Sequence, residues 1–282
     1  DEGTGVNTAG ENPDSETAYN VAFNLNGLPS ASWIASQSGF GNALYFDGTS
    51  NQSGAYSTNN PHPEFSIHDC NGTVEMWVNI EAYPSSEAVL AMIEAGNISW
   101  QLKIRSDGTF GYGYKDRNLS WGTGFYGGTS IPTGQWHHLA MTRDIYPDAV
   151  GSDTGDMLVT LYVDGEAYAQ KEYTSITLPV QGEALKLGFY TPTSSLFQGS
   201  IDELRISNVN RFNDTQTGPA PYDRTQANTV ALFRFSEGSG TVTWAGDPDY
   251  EMAYDLYFNN GGSPSATWTS GPFPDYGTAL EF

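Results

Sequence analysis

The chain repeats its own beginning at its end, and this constrains its organisation more than any other feature. Asp1-Glu2-Gly3-Thr4-Gly5 returns as Ser236-Glu237-Gly238-Ser239-Gly240, an offset of 235 positions. The offset holds through Pro13-Asp14 and Pro248-Asp249, through Ala18-Tyr19 and Ala253-Tyr254, and through Pro29-Ser30-Ala31-Ser32-Trp33 and Pro264-Ser265-Ala266-Thr267-Trp268. One inserted residue later, Ala43-Leu44-Tyr45-Phe46 matches Ala279-Leu280-Glu281-Phe282. Self-similarity at a fixed period marks a tandem array. The expected organisation is therefore a complete module over 1–208, a linker over 209–228 and the opening strands of a second module over 229–282. Such a layout suits an extended surface protein before it suits an enzyme.

Composition narrows the partners. A hydrophobic content of 38% with 7 Trp, 17 Tyr and 14 Phe supplies a sizeable core, which excludes a disordered chain. A formal net charge of −22 argues against nucleic acid and against anionic lipid, both of which need a basic counterpart. The acidity reads either as solubility and self-repulsion or as carboxylates that hold Ca²⁺. The single cysteine, Cys70, gives no disulfide framework and sits at the start of an apolar strand pattern, as a buried inert thiol would. No run is apolar enough for a spanning helix. The chain opens on Asp1 rather than on a leader, which reads as a mature or excised boundary.

Short β-rich runs separated by Gly, Asp, Asn and Pro dominate the sequence. Val74-Glu75-Met76-Trp77-Val78, Trp100-Gln101-Leu102-Lys103-Ile104, Leu158 to Val163 and Leu204-Arg205-Ile206 fit pleated, half-buried strands. Ser106-Asp107-Gly108-Thr109 and Asp164-Gly165 fall where hairpins need turns. No long segment has a helical period, so the pattern predicts a sandwich or barrel. Tyr146 to Asp156 reads as a long acidic loop. Asn208 to Asn228 is Pro-, Thr- and Asn-rich without periodicity and suits a linker. Thr229 to Phe235 then reads as a fresh strand.

Five blocks in order carry a resemblance: Ala43-Leu44-Tyr45-Phe46-Asp47-Gly48, Thr73 to Val78, Gly134-Gln135-Trp136-His137-His138-Leu139-Ala140, Leu161-Tyr162-Val163-Asp164-Gly165 and Gly199-Ser200-Ile201-Asp202-Glu203-Leu204-Arg205-Ile206. Together they resemble the laminin G-like domains of the concanavalin A-like lectin/glucanase superfamily. The resemblance covers about residues 1–207 and resumes at Thr229. It implies an all-β, antiparallel jelly-roll sandwich of two packed, curved sheets. The family opens on an apolar strand that runs into a Glu-Gly turn, and Val230 to Gly238 has both parts whereas the chain's beginning has only the turn. Three arrangements would supply that strand: upstream residues outside this sequence, residues 229–235 folding back, or residues 229–235 of a neighbouring chain added to the sheet edge.

Candidate chemistry is sparse. Glycoside hydrolysis needs two carboxylates on one cleft face. The Glu-x-Asp-x-x-Glu strand of related laminarinase-type enzymes is missing, Glu75 and Glu81 are far apart, and the adjacent Asp202 and Glu203 face opposite sides. No catalytic centre is expected, and a glycan-degrading enzyme is the remotest reading. Trp77 and Trp136 read as core, and of His137 and His138 one is expected buried and the other exposed, with no zinc-site spacing. For glycan contact, Tyr112, Tyr114 and Trp121 are the candidates, with glycine neighbours leaving the rings open on a sheet face or rim. The alternative is that these rings cover the second sheet. For a structural Ca²⁺ the resemblance points to Asp47 and Asp202, and the acidic loop with Asp148, Asp153 and Asp156 is a second option. Asp-Gly also forms turns without any metal. The expectation is a non-enzymatic extracellular or cell-surface module of an adhesin, fibre or matrix protein. It would associate with copies of itself or neighbouring repeats through its terminal segments. The alternative is a lectin-like carbohydrate-binding module that uses calcium.

Overall fold

The computed structural model describes residues 7–12, 15–22, 31–37, 40–48, 55–57, 65, 67, 70–95, 97–115, 124–149, 152, 154–177, 184–191, 194–212, 227–233, 235, 267–270 and 278–281. The regular structure among them is strand, paired antiparallel throughout, as the short alternating runs predict. The first sheet runs in the order β1 (Asn7–Asn12), β2 (Ser15–Ala22), β5 (Ala55–Ser57), β14 (Ala184–Leu187), β7 (Glu87–Ala95), β8 (Asn97–Arg105), β9 (Phe110–Gly113) and β10 (Phe125–Tyr126). The second runs β13 (Glu166–Thr177), β12 (Thr154–Val163), β11 (Trp136–Pro147), β6 (Gly72–Ala82), β15 (Gln198–Ser207), β4 (Asn42–Asp47) and β3 (Ser32–Ala35), and β16 (Thr229–Phe233) also pairs with β15. A separate hairpin joins β17 (Thr267–Ser270) to β18 (Thr278–Glu281).

Strand alternation assigns the faces. On β6, Val74, Met76, Val78 and Ile80 point into the core, and Leu139 and Met141 of β11 and Ile201, Leu204 and Ile206 of β15 join them. The first sheet answers with Trp100, Leu102, Ile104, Phe110, Tyr112, Leu185 and Leu187. Trp100 is fully buried and donates its indole N–H to the carbonyl of Phe65 at 2.8 Å, which satisfies the one polar atom that this large side chain brings inside. The hairpin turns fall where the sequence predicts them. Asp107 Oδ1 accepts from the Thr109 amide at 3.0 Å and from its hydroxyl at 2.6 Å. Asp164 and Gly165 take φ of 52° and 86°, the pair of positive values that a two-residue hairpin turn requires.

The outer face of the second sheet is covered. Arg211, just past β15, donates its backbone N–H to Thr73 Oγ1 (2.9 Å) and its Nε to Ser207 Oγ (2.6 Å). Phe212 stacks on Tyr162 at 3.9 Å and lies 6.4 Å from His138, and Phe40 meets Trp77 edge-on at 5.6 Å. Beneath this cover Arg205 donates Nε to Glu75 Oε1 at 2.7 Å, its Nη2 lies 2.6 Å from the same oxygen, and His138 Nε2 is 3.2 Å from Oε2. Three expectations are corrected here. Trp77 is buried on the outer face rather than in the main core, and both His137 and His138 are buried. His138 lies under the roofed outer face of the central strand β11, whereas His137, on the same side of β11 as Leu139, sits with Nδ1 2.8 Å from Asp164 Oδ2. The Tyr146–Asp156 stretch is ladder at both ends, since Tyr146 pairs with Asp156 and Pro147 with Gly155, which leaves only 148–153 between the strands. Asp156 accepts from the Ser175 amide and Asp148 from the Thr154 hydroxyl, while Asp153 lies outside the described residues.

Residues 229–233 pair with β15 of the same chain, Leu204 with Phe233 and Ile206 with Ala231, and they lie against β1. Among the three arrangements open from sequence, this is the fold-back one. β17–β18 reproduces the β3–β4 hairpin rung for rung. Trp268 pairs with Leu280 as Trp33 pairs with Leu44, and Ser270 with Thr278 as Ala35 pairs with Asn42.

Burial alone would raise the Glu75 carboxyl. The hydrogen bond from His138 and the Arg205 guanidinium outweigh it and hold the group below the usual carboxylate range. A carboxyl depressed on folding contributes stability that is present above its unfolded pKa, about 4.3, and lost as pH falls through the folded value. Glu75→Gln is therefore expected to cost about 3–5 kcal/mol at pH 7, because it leaves Arg205 buried without its counter-charge. In urea unfolding the gap to the unsubstituted protein should narrow below about pH 4. A gap of equal size at pH 3 and pH 7 would show that the ion pair is not what is lost.

Candidate functional site

The sites expected from sequence separate in the structure. On β9, Phe110 and Tyr112 alternate with Gly111 and Gly113, so the glycines take the outer face and the rings turn inward. Tyr112 is fully buried and Tyr114 is 3% exposed, which corrects their assignment to an open glycan platform. Tyr112 stacks on Tyr114 at 6.0 Å, and Tyr114 meets Tyr173 edge-on at 5.3 Å. Burial pushes the Tyr112 hydroxyl up, with Arg143 opposing it. Trp121 lies outside the described residues. Asp202 is fully buried, accepting from the Ser36 hydroxyl and from the Glu203 amide, the latter at 2.8 Å. Asp47 pairs with Gln198, four positions before Asp202 on β15, so the two aspartates stand about 13 Å apart along the strand. That spacing excludes a Ca²⁺ site shared between them, and among the described residues no group of three or more His, Cys, Asp or Glu converges.

What the structure assembles instead is a cavity of about 290 Å³ at one end of the sandwich. It is lined by Gly48 at the end of β4, by Ala82, Tyr83, Pro84, Ser85 and Glu87 at the β6–β7 turn, and by Ser195, Leu196 and Gln198 at the start of β15. Backbone bonds bring these pieces together. Val89 N–H donates to Ser195 O at 3.0 Å, Phe197 N–H to Gly188 O at 2.9 Å and Ser106 N–H to Ser86 O at 2.7 Å. The 195–197 stretch thus bridges from the first sheet to the second. Gly199 holds φ of 148° where a Cβ would lie 2.2 Å from the carbonyl oxygen of Asn79, so only glycine lets β15 begin here.

Tyr83 is one of the few large apolar side chains exposed among the described residues, at 37%. Its hydroxyl donates to Ile131 O at 2.7 Å, and its ring packs where a Cβ on Gly108 would lie. The ring is therefore fixed rather than free to fold away. Glu87, at the cavity's inner side, is within 3.2 Å of Lys103 Nζ and accepts from the Tyr126 hydroxyl at 2.8 Å. The Tyr126 ring fills the space over Gly111, and the Arg105 guanidinium lies 3.6 Å from its centroid. Glu87 so links the cavity to the outer face of the first sheet, where Gln101 is 2% exposed and its Oε1 has no partner. On the other side of the rim Tyr45 donates to Glu81 Oε2 at 2.7 Å. That hydrogen bond, with burial and the charges of Glu81 and Asp47, pushes the Tyr45 hydroxyl up to about 12.

Sequence reasoning missed Tyr83, Glu87 and Gln198. Pro84 with Ser85 and Ser86 is a turn-forming run that could have marked this corner, but nothing in the sequence says that Gln198 and Gly48 stand beside it. Chemically, the cavity offers a fixed aromatic ring, a carboxylate acceptor held by two partners, a side-chain amide and two hydroxyls. This donor and acceptor set suits a neutral polyhydroxyl ligand.

A sequence profile described as the concanavalin A-like lectin/glucanases superfamily matches residues 51–216. Among curated protein sequences no match is found. Solved structures align at low identity. A candidate carbohydrate-binding protein from Bacteroides ovatus is 16% identical, with 83% of this chain and 53% of that one covered and a TM-score of 0.44. Domain 4 of AbnA, an extracellular GH43 arabinanase from Geobacillus stearothermophilus solved with arabinotriose, is 18% identical, covering 82% of this chain and 84% of that domain at 0.43. The Trypanosoma rangeli sialidase solved with the inhibitor DANA is 15% identical, covering 68% and 27% at 0.45. The chain thus spans about half of the first and about a quarter of the sialidase, and none of these alignments bears on ligand or activity.

Tyr83→Phe keeps the ring and removes its donor to Ile131 O. It is expected to cost about 1 kcal/mol in chemical denaturation, the ordinary net worth of one hydrogen bond. An unchanged midpoint would mean that the hydroxyl does not hold the ring.

Proposed function

Because the chain belongs to the concanavalin A-like lectin/glucanases superfamily, we propose that it is a carbohydrate-binding module whose site is the cavity at the β6–β7 and β14–β15 turns. The observation that carries this reading is the pairing of the fixed, half-exposed Tyr83 ring with Glu87, Gln198, Ser85 and Ser195 around a space of about 290 Å³. That is close to the lower end of ligand-sized pockets, roughly 300–1,000 Å³, and it fits one or two sugar residues rather than a buried chain. Sugars present C–H faces to a ring and hydroxyls to fixed polar groups, and the cavity offers both. The role is binding without catalysis. The hydrogen bonds that Glu87 accepts from Lys103 and Tyr126 hold it as an acceptor, and among the described residues it is the one carboxylate in the cavity lining, where hydrolysis needs two.

A second reading, a repeat module linked in series within a surface fibre or adhesin, is favoured by the β17–β18 hairpin, whose register is that of β3–β4. The two readings are compatible, since a module in an array can carry a glycan site.

Calorimetric titration against a panel of neutral oligosaccharides, with and without Ca²⁺, tests the site. Tyr83→Ala and Gln198→Ala are each expected to weaken binding tenfold or more, about 1.4 kcal/mol. Lys171→Ala, on β13, should leave affinity unchanged. Binding that survives both cavity substitutions would place the site elsewhere, and no binding to any glycan would remove the lectin reading.

A further inference from the structure

The edge of β15 that faces away from β6 is shared by two strands. β4 holds Gln198 to Ile201, and β16 holds Leu204 to Ser207. β16 fits its place through apolar side chains, with Val230, Ala231 and Phe233 buried in the core and Phe65 6.3 Å from Phe233. The acceptor side closes over it. Arg211 Nη2 donates to Ala227 O and to Thr229 Oγ1, both at 2.9 Å, and Asn208 N–H donates to Asn228 O at 3.1 Å.

None of these contacts depends on which chain supplies the strand. Between Phe212 and Ala227 lie the 14 positions 213–226. At about 3.3–3.6 Å per residue they can reach roughly 46–50 Å, well beyond the radius of gyration of about 17 Å expected for some 210 residues. Chain length therefore does not confine β16 to the slot of its own molecule. Residues 229–235 also stand directly before the segment that repeats the chain's beginning, and β17–β18 within that segment copies a hairpin whose β4 member holds the neighbouring stretch of the same β15 edge. In the repeat logic, β16 therefore belongs with the strands that follow it as much as with β15 before it.

We propose that β16 is an exchangeable strand, and that the Leu204–Ser207 edge of one copy accepts Thr229–Phe233 of a second copy, joining chains through a shared sheet. Exchange conserves every rung and apolar contact of the closed form, which makes it a low-cost route to association. Donation in one direction is heterologous and extends into a line, whereas reciprocal donation closes a dimer. The inference deepens the serial reading above by naming the strand and the slot that link one unit to the next.

The test uses the full chain with Cys70→Ser as background. One preparation carries Ser207→Cys and a second, of different tag length, carries Thr229→Cys, positions that face each other across the β15–β16 ladder. Unfolded together, refolded at about 100 µM and oxidised, they should yield a disulfide-linked species of mixed tags. The double variant Ser207→Cys/Thr229→Cys should give linked dimers and larger species on a non-reducing gel. Light scattering of the unsubstituted chain should show mass rising with concentration to at least twofold. A double variant that closes only within one chain, or a mass of one chain across a hundredfold dilution series, overturns the exchange. The serial reading is tested separately by appending a second copy of residues 47–235 to the full chain. Two cooperative units with doubled unfolding enthalpy would keep that reading even where exchange fails, and a single unit would remove it.

Discussion

The ion pair between Arg205 and Glu75 sets the register on which the second sheet is built. Burying a guanidinium and a carboxylate is costly, and the cost is offset only when the geometry is good and the remaining polar atoms are satisfied. Here two Arg205 nitrogens lie at 2.7 and 2.6 Å from one oxygen of Glu75, and His138 takes the other at 3.2 Å. The pair joins β15 to β6 just past the irregularity between Asp202 and Arg205, where Glu203 sits at a φ of 48°. A register slip of one residue would put Arg205 into the apolar core and Leu204 outside. The charges thus specify where the irregularity falls, and with it which β15 residues meet β4 and which meet β16.

The candidate site depends on that placement. With β15 anchored at Arg205, Gln198 falls opposite both Asp47 and Ala82, at the end of β4 and β6. The preceding residues cross to the first sheet, where Ser195 caps Val89, and the Tyr83–Ser86 turn closes over the gap between the sheets. The cavity is what remains where three turns meet and glycine at 48 and 199 keeps side chains out of the way. Its polarity comes from turn residues, and its aromatic wall from one tyrosine held at both ends.

Much of this architecture was legible in the sequence. The alternation of Val74, Met76 and Val78 against Glu75 and Trp77, and the turns at Asp107-Gly108 and Asp164-Gly165, are local signals that fix strands and hairpins without tertiary information. The resemblance carried by five blocks named the sandwich. What failed was the choice of face. Tyr112 and Tyr114 flank glycines, and period-two alternation alone should have placed rings and glycines on opposite sides. Glycine leaves open the face it occupies, not the face its neighbours occupy. The histidine pair failed differently: His138 is covered by the Phe212 roof from 74 residues downstream (212 minus 138), and His137 is held by Asp164 from the next hairpin turn. The cavity was invisible for the same reason: Tyr83, Glu87 and Gln198 are separated in sequence and meet only through the β15 crossover.

The central claim is that sugar binds at the turn-end cavity. A titration of the isotope-labelled chain with the best neutral oligosaccharide, followed by amide chemical shifts, tests it most directly. The largest shifts are expected at Gly48, Tyr83, Ser85, Glu87, Ser195 and Gln198, with β11, β12 and β13 undisturbed. Shifts confined to those three strands, or to residues outside the cavity, would contradict it.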